Sequence, residues 1–244
     1  MDLIDIETPD GTAEAYLTGA GRGVLFFIDA IGLRPQIAQM ADRIAAWGYT
    51  VLAPNTLYRS GTATQTSPQP GEDLRAPGGR EEFFRHTGPR IAALTPERLR
   101  ADIPAYLAAL REYADGDGDL AVVGYCMGAR LAVRAAGLDP RVVAVAGFHG
   151  GGLVTDDPDS PHVGLPHARA AFVFGHADQD RSMPPEAVAE LGRALAEAGL
   201  TATNEIYPGS PHGYAMNDTS MYHEPGAERS FEELHALLHR TLGT

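Results

Sequence analysis

The stretch Gly124-Tyr125-Cys126-Met127-Gly128 holds the only cysteine of the chain between two glycines, after the apolar run 120–123 and before a helix-forming run. Its spacing is that of a strand-to-helix nucleophile turn, G-x-S-x-G, with sulfur in place of oxygen. The glycines there have a steric reason. The central residue takes a strained backbone conformation, and side chains at the flanking positions would collide with the neighbouring strand and helix. The helix that follows presents free N–H groups and its positive dipole end to the sulfur, which lowers a thiol's pKa and prepares an anion site. A buried cysteine packed between two glycines is the competing reading. A nucleophile also needs a base and an acid, in the chain order nucleophile, acid, histidine. "FVFGHADQDRSMP" supplies Asp178 and Asp180, and "YPGSPHGYAM" supplies His212. The set predicts acyl transfer from a carbonyl substrate to a thiolate, with His212 moving the proton.

Such a triad works only if successive strand ends meet at one edge of a sheet, and the patterning predicts that arrangement. "DLIDIE" and "AEAYL" read as an edge hairpin through Asp10-Gly11. "GVLFFIDA" (23–30) and "YTVLAP" read as buried strands around a helix, "RPQIAQMADRIAAWG". That helix carries Ile37, Met40, Ala41, Ile44 and Ala45 on one face and stops at Gly48. Thr95-Pro96 opens a helix running to about Tyr113. "DLAVVGY", "RVVAVAGFHG", "AAFVFGH" and "TATNEIYPG" read as further strands. "MGARLAVRAA", "PPEAVAELGRALAEAG" and "AERSFEELHALLHRTL" read as the helices between and after them. Alternation of this kind predicts an α/β fold, a mostly parallel sheet with helices on both faces, in one domain over 1–244. Residues 54–80, rich in Pro, Gly, Ser and Thr, read as a long loop serving as a cap or a mobile excursion over the site.

Composition limits the partners. The 19 basic residues are all arginine, against 32 acids, for a formal net charge of −13. Nucleic acid and anionic membranes are therefore poor partners, and a lysine Schiff base is excluded. No apolar run approaches ~18 residues, so a membrane span is not expected. A start without a basic, apolar leader and a lone cysteine point to the cytoplasm.

These residues resemble the dienelactone hydrolase family of α/β-hydrolases. The family's elbow, G-Y-C-x-G, matches 124–128, and its early strand and helix look like "FIDAIGLRPQIAQMADRIAAWGYTVLAPNTLYR". The resemblance implies a Cys126–His212–Asp catalytic triad, and no cofactor. Counting four back from Pro184 selects Asp180 as the acid, and counting three on from Gly175 selects Asp178. Asp180 is favoured because the proline starts the next helix. It also implies an oxyanion hole from the backbone N–H groups of Ala30 and Met127. A carboxylate that modulates the resting cysteine falls at Asp29, where better-known members have Glu. The family holds its lactone's carboxylate with arginines; one of those positions is Met216 here, and Arg80 or Arg85 would supply another.

Other signals carry less. "FHGGG" imitates an oxyanion motif but follows the nucleophile, so His149 is expected only as a pocket wall. His162, His167 and His176 lack metal-ligand spacing, so no metal site is expected. Tyr58, Tyr125 and Tyr214 are candidate pocket aromatics. The expected activity is hydrolysis of a lactone or small ester, with a small-molecule partner. The alternatives are a carboxylesterase for uncharged esters and a non-catalytic ligand-binding or thiol-sensing protein. The oligomeric state is not legible.

Overall fold

In a computed structural model, residues 2–116 and 118–243 are described. Eight strands form one sheet in the order β1-β2-β4-β3-β5-β6-β7-β8. The edge hairpin of β1 (Leu3–Thr8) and β2 (Gly11–Gly19) is antiparallel, with Thr8 opposite Gly11, and β2 runs antiparallel to β4 (Tyr49–Pro54). The remaining neighbours are parallel: β4 with β3 (Arg22–Phe27), then β5 (Leu120–Tyr125), β6 (Val142–Phe148), β7 (Ala171–Ala177) and β8 (Ala202–Tyr207). Parallel neighbours need crossover connections, so six carboxyl ends collect along one edge.

Strand alternation sorts the apolar side chains into two cores. Leu25, Phe27, Val122, Val145 and Phe174 face α4 (Pro96–Tyr113), α5 (Met127–Leu138) and α6 (Pro185–Glu197). Val24, Phe26, Val123, Tyr125 and Phe148 face α1 (Pro35–Ala45) and α7 (Glu224–Leu242). Helices α1 and α7 meet that face with Ile37, Met40, Ala41 and Ile44, and with Phe231, Leu234, Leu237 and Leu238. Each such fully buried Leu, Ile or Phe contributes about 1.5–3 kcal/mol. Among the described residues, no helix is long and apolar enough to cross a membrane.

Three local expectations differ from the structure. The first central strand ends at Phe27 rather than at Ala30, because the backbone must turn there: a Cβ at Gly128 would overlap the carbonyl oxygen of Phe27. The last helix begins three residues earlier, at Glu224, where the His223 ring accepts a hydrogen bond from the Gly226 N–H. The 54–80 segment is not structureless. It contains a 3-10 turn at Tyr58–Ser60 and the four-residue α2 (Ala63–Thr66), closed by a capping box between Thr62 and Gln65. It then leads into α3 (Gly79–Ala92). Leu74 of this segment packs on Ile31 and Phe83, and its carbonyl accepts the Ser220 N–H at 3.0 Å. The segment thus rests on the two loops that follow β3 and β8.

Candidate active site

The end of β5 forces the chain into the conformation the glycine spacing implies. Cys126 has φ 53° and ψ −114°, outside the regions an L-residue ordinarily occupies. A Cβ at Gly124 would overlap the Gly128 carbonyl, so the turn closes only with glycine at both positions. Cys126 donates its N–H to the Phe148 carbonyl at 3.0 Å, which ties the turn to β6. Its half-buried sulfur stands at the first turn of α5.

His212, in the loop after β8, points its Nε2 at Cys126 Sγ across 3.1 Å. Its Nδ1 lies 2.6 Å from Asp180 Oδ2. Asp180 is itself fixed from the other side, since its Oδ1 accepts from the Ser182 N–H at 2.8 Å and the Ser182 hydroxyl at 2.7 Å. The rival acid, Asp178, does different work. It accepts the Gly209 N–H at 2.9 Å and gives its own N–H to the Ser210 carbonyl at 2.7 Å, stapling the β7 and β8 loops together. Gln179 between them sits at φ 54°, which turns the two aspartates in different directions. Ser182 was not anticipated from the sequence; a hydroxyl two residues past an acid has no spacing signature.

These contacts set the protonation states. Burial disfavours the Cys126 thiolate, but the charge and hydrogen bond of His212, with the Met127 N–H, outweigh it and bring the thiol below its ordinary value. Burial also opposes the His212 imidazolium, yet the Cys126 sulfur and Asp180 raise it to about 10. Asp180, despite a burial penalty, is held down to about 2 by His212 and Ser182. The arrangement favours a thiolate–imidazolium pair.

Asp29 is placed apart from the sulfur. Its two carboxylate oxygens take Arg34 Nη1 at 2.7 Å and Nη2 at 3.1 Å, and Oδ1 also accepts the Ile31 N–H. Arg34 is buried and reaches a second carboxylate, Asp218, through Nε at 2.6 Å and Nη2 at 3.0 Å. Among the described residues no hydrogen bond joins Asp29 to Cys126; its charge only opposes the thiolate through space. The Arg34 fork ties the loop carrying Ala30 to the loop that follows His212. Neither residue was singled out from the sequence, because Arg34 and Asp218 stand 184 positions apart.

The remaining predicted residues divide. Ala30, Arg80 and His149 line a constricted cleft with Cys126 and His212, and Ile31, Phe84 and Met216 form its apolar wall. An open groove of about 540 Å3 continues from it, bordered by Met127, Arg80, Arg85 and Arg130. The N–H groups of Ala30 and Met127 reach no backbone carbonyl in a loop or turn among the described residues, and the Met127 N–H faces the Cys126 sulfur. Arg85 pairs with Glu82 and is largely exposed at the rim. His149, at φ 39°, is buried with its ring against His212 and Tyr214, and burial keeps it neutral, well below the usual histidine range.

Tyr125, Tyr214 and Tyr58 do not line the site. Alternation turns Tyr125 into the α1/α7 core, between Phe26 and Phe148 at 5.1 and 5.4 Å. Tyr214 is buried behind His149 and donates its hydroxyl to the Gly175 carbonyl at 3.0 Å. Tyr58 binds Thr8 and Asp102 on the hairpin side.

Known proteins agree with this architecture. The model of the dienelactone hydrolase family matches residues 13–242. A carboxymethylenebutenolidase of Rhodococcus opacus is 24% identical over 208 residues, covering 84% of this chain and 75% of its own. Among solved structures, m3DLH superposes with a TM-score of 0.78 at 21% identity, covering 98% of this chain and 97% of its own. A dienelactone hydrolase-like promiscuous phosphotriesterase from metagenomic libraries superposes with a TM-score of 0.75 at 18% identity, with the same coverage. At these identities the superpositions speak to the fold. The match over nearly the whole sequence settles the affiliation: the chain belongs to the dienelactone hydrolase family.

Proposed function

We propose that the protein hydrolyses a lactone or small carboxylic ester through Cys126, His212 and Asp180. The single observation that carries this reading is the unbroken chain of contacts from Sγ to Nε2 (3.1 Å) and from Nδ1 to the buried Asp180 carboxylate (2.6 Å).

The Cys126 thiolate adds to the carbonyl carbon, and the electron pair moves to oxygen. The N–H groups of Ala30 and Met127 receive that oxyanion; one such donor is worth ~10²–10³ in rate. Collapse expels the alkoxide, which takes the proton from His212 Nε2 and leaves a thioester on Cys126. The now neutral His212 accepts a proton from water as the water attacks the thioester. The second tetrahedral intermediate releases the carboxylic acid and returns the thiolate facing an imidazolium. Asp180 keeps the Nδ1–H in place throughout, so His212 exchanges protons only through Nε2. Ile31, Phe84 and Met216 suit an apolar part of the substrate along their side of the cleft.

The test follows the ultraviolet absorbance of a dienelactone, and separately the cleavage of a neutral aryl ester, with wild type and Cys126→Ala. Turnover by wild type alone is expected for at least one of the two. Activity retained by Cys126→Ala overturns the mechanism.

A further inference from the structure

The loop that leaves β6 presses a second histidine against the triad. His149 is the first residue beyond that strand, and its N–H is held by the Gly175 carbonyl at 2.8 Å. The glycines after it keep the loop close. Gly152 donates its N–H to the Ser182 carbonyl at 2.7 Å, and a Cβ at Gly151 would overlap the Ser182 side chain. The His149 ring consequently stands 5.5 Å from the His212 ring, centroid to centroid, with the planes at 66°. Its other ring neighbours are Tyr214 at 4.8 Å and Tyr125 at 5.8 Å.

A histidine that only packed would be a poor choice there. The backbone sits at φ 39°, in the left-handed region, which costs a residue with a Cβ free energy. The residue is 1% exposed, and neither ring nitrogen has a hydrogen-bond partner among the described residues. Its own carbonyl favours the charged form but falls short of ordinary hydrogen-bond geometry. Burial and the His212 charge beside it keep the ring neutral, so one nitrogen carries a proton and the other offers a lone pair. A buried donor or acceptor left unmade is a loss that a phenylalanine of similar shape would avoid. Among the described side chains with a buried, unpartnered polar atom, His149 is the one that lines the constricted cleft with Cys126 and His212.

Hydrolysis of a thioester has a use for such a group. The attacking water gives one proton to His212 Nε2, and its second O–H needs an acceptor that holds the oxygen on line to the carbonyl carbon. Two O–H···N contacts of about 2.8 Å bridge up to about 5.6 Å, a span that suits two rings 5.5 Å apart. The nearby carboxylates are committed elsewhere, Asp180 to His212 Nδ1 and Asp29 to Arg34.

We propose that His149 is a further catalytic residue, which holds through a ring nitrogen the water that hydrolyses the Cys126 thioester and aims it between His212 Nε2 and the carbonyl carbon. The proposal rests on the hydrolase reading above and concerns its second half. The water oxygen bonds to the carbonyl carbon and one proton passes to His212 Nε2. The other proton stays on that oxygen, hydrogen-bonded to His149, and leaves as the proton of the acid. Collapse breaks the C–S bond and returns its electron pair to Sγ. His149 neither gains nor loses a proton, and it has no part in forming the thioester.

The experiment compares wild type, His149→Phe and His149→Gln on whichever of the dienelactone and the neutral aryl ester wild type turns over. His149→Phe keeps a ring against His212 and Tyr214 and removes both nitrogens, whereas His149→Gln keeps an amide that can donate and accept. Rapid-quench intact-protein mass spectrometry follows the appearance and decay of the acyl group on Cys126, and thermal unfolding reports the fold. In His149→Phe the acyl-enzyme should accumulate and decay about 10- to 100-fold more slowly than in wild type, while its rate of appearance changes much less. The Tm of His149→Phe should be unchanged or higher, because the orphaned nitrogens are gone. His149→Gln should recover part of the decay rate. A purely structural role gives a different pattern: a lower Tm in His149→Phe, with appearance and decay slowed together. That pattern, or a wild-type decay rate in His149→Phe, overturns the proposal and leaves the hydrolase reading standing. A wild type that turns over neither substrate overturns both.

Discussion

Replacing Arg34 by methionine tests how the two loops of the site are held. The side chain is 3% exposed and gives hydrogen bonds to both oxygens of Asp29, both oxygens of Asp218, and the Gly32 carbonyl. Methionine keeps much of the volume and removes the charge. Asp29, with a side chain 4% exposed, is then a buried carboxylate with only the Ile31 N–H for support. Breaking a buried pair by deleting one partner costs about 3–5 kcal/mol. For a chain of this size that corresponds to a fall of about 6–20 °C in Tm. Asp218, 30% exposed, can turn to water and should contribute less. The double variant Arg34→Met/Asp29→Asn removes the orphaned charge while keeping an acceptor for Ile31, so it should recover roughly half of the loss. Thermal and urea unfolding of the two variants measure this. Ala30 follows Asp29 directly and Asp218 lies beyond His212, so kcat should fall in Arg34→Met by more than stability alone explains at a temperature where it is folded. A stability loss below about 1 kcal/mol, or a double variant no better than the single, refutes the argument.

Two further outcomes follow from the same geometry. Asp180→Asn should lower kcat by ~10³–10⁴ because it frees the His212 tautomer, whereas Asp178→Asn should act mainly on stability; equal kinetic losses would contradict the assignment. Iodoacetamide should alkylate Cys126 of the free protein at a pH below the ordinary thiol range, because the thiolate is favoured beside the His212 imidazolium. The rate should fall as pH drops through the lowered thiol value; a profile rising only near pH 8–9 would show an unpaired thiol.

The pH dependence of stability has a definite sign. Asp180 is held at about 2, below its unfolded value, so it contributes stability above about pH 4 that is lost as pH falls towards 2. His212, raised to about 10, contributes stability that is complete below about pH 6.5 and is lost as pH rises through 10.

What the sequence alone determined is what depends on near neighbours. Gly124 is prescribed by its near neighbours, because a Cβ there meets the Gly128 carbonyl wherever the turn occurs, whereas Gly128 is required by the neighbouring strand, whose Phe27 carbonyl a Cβ would meet. Strand alternation and helix periodicity fix which residues are buried, and the order of the elements brings Cys126, the aspartate loop and His212 to one sheet edge. Only the tertiary structure shows which aspartate faces His212, since the left-handed Gln179 sends Asp180 to His212 and Asp178 to the β8 loop. It also moved Tyr125 into the core: the residue beside Cys126 in sequence points to the opposite face of the sheet. The lock of Arg34 on Asp29 and Asp218 arises from loops that dock across most of the length of the chain. Such contacts depend on how separate elements are placed in space, and no local pattern of residues records that placement.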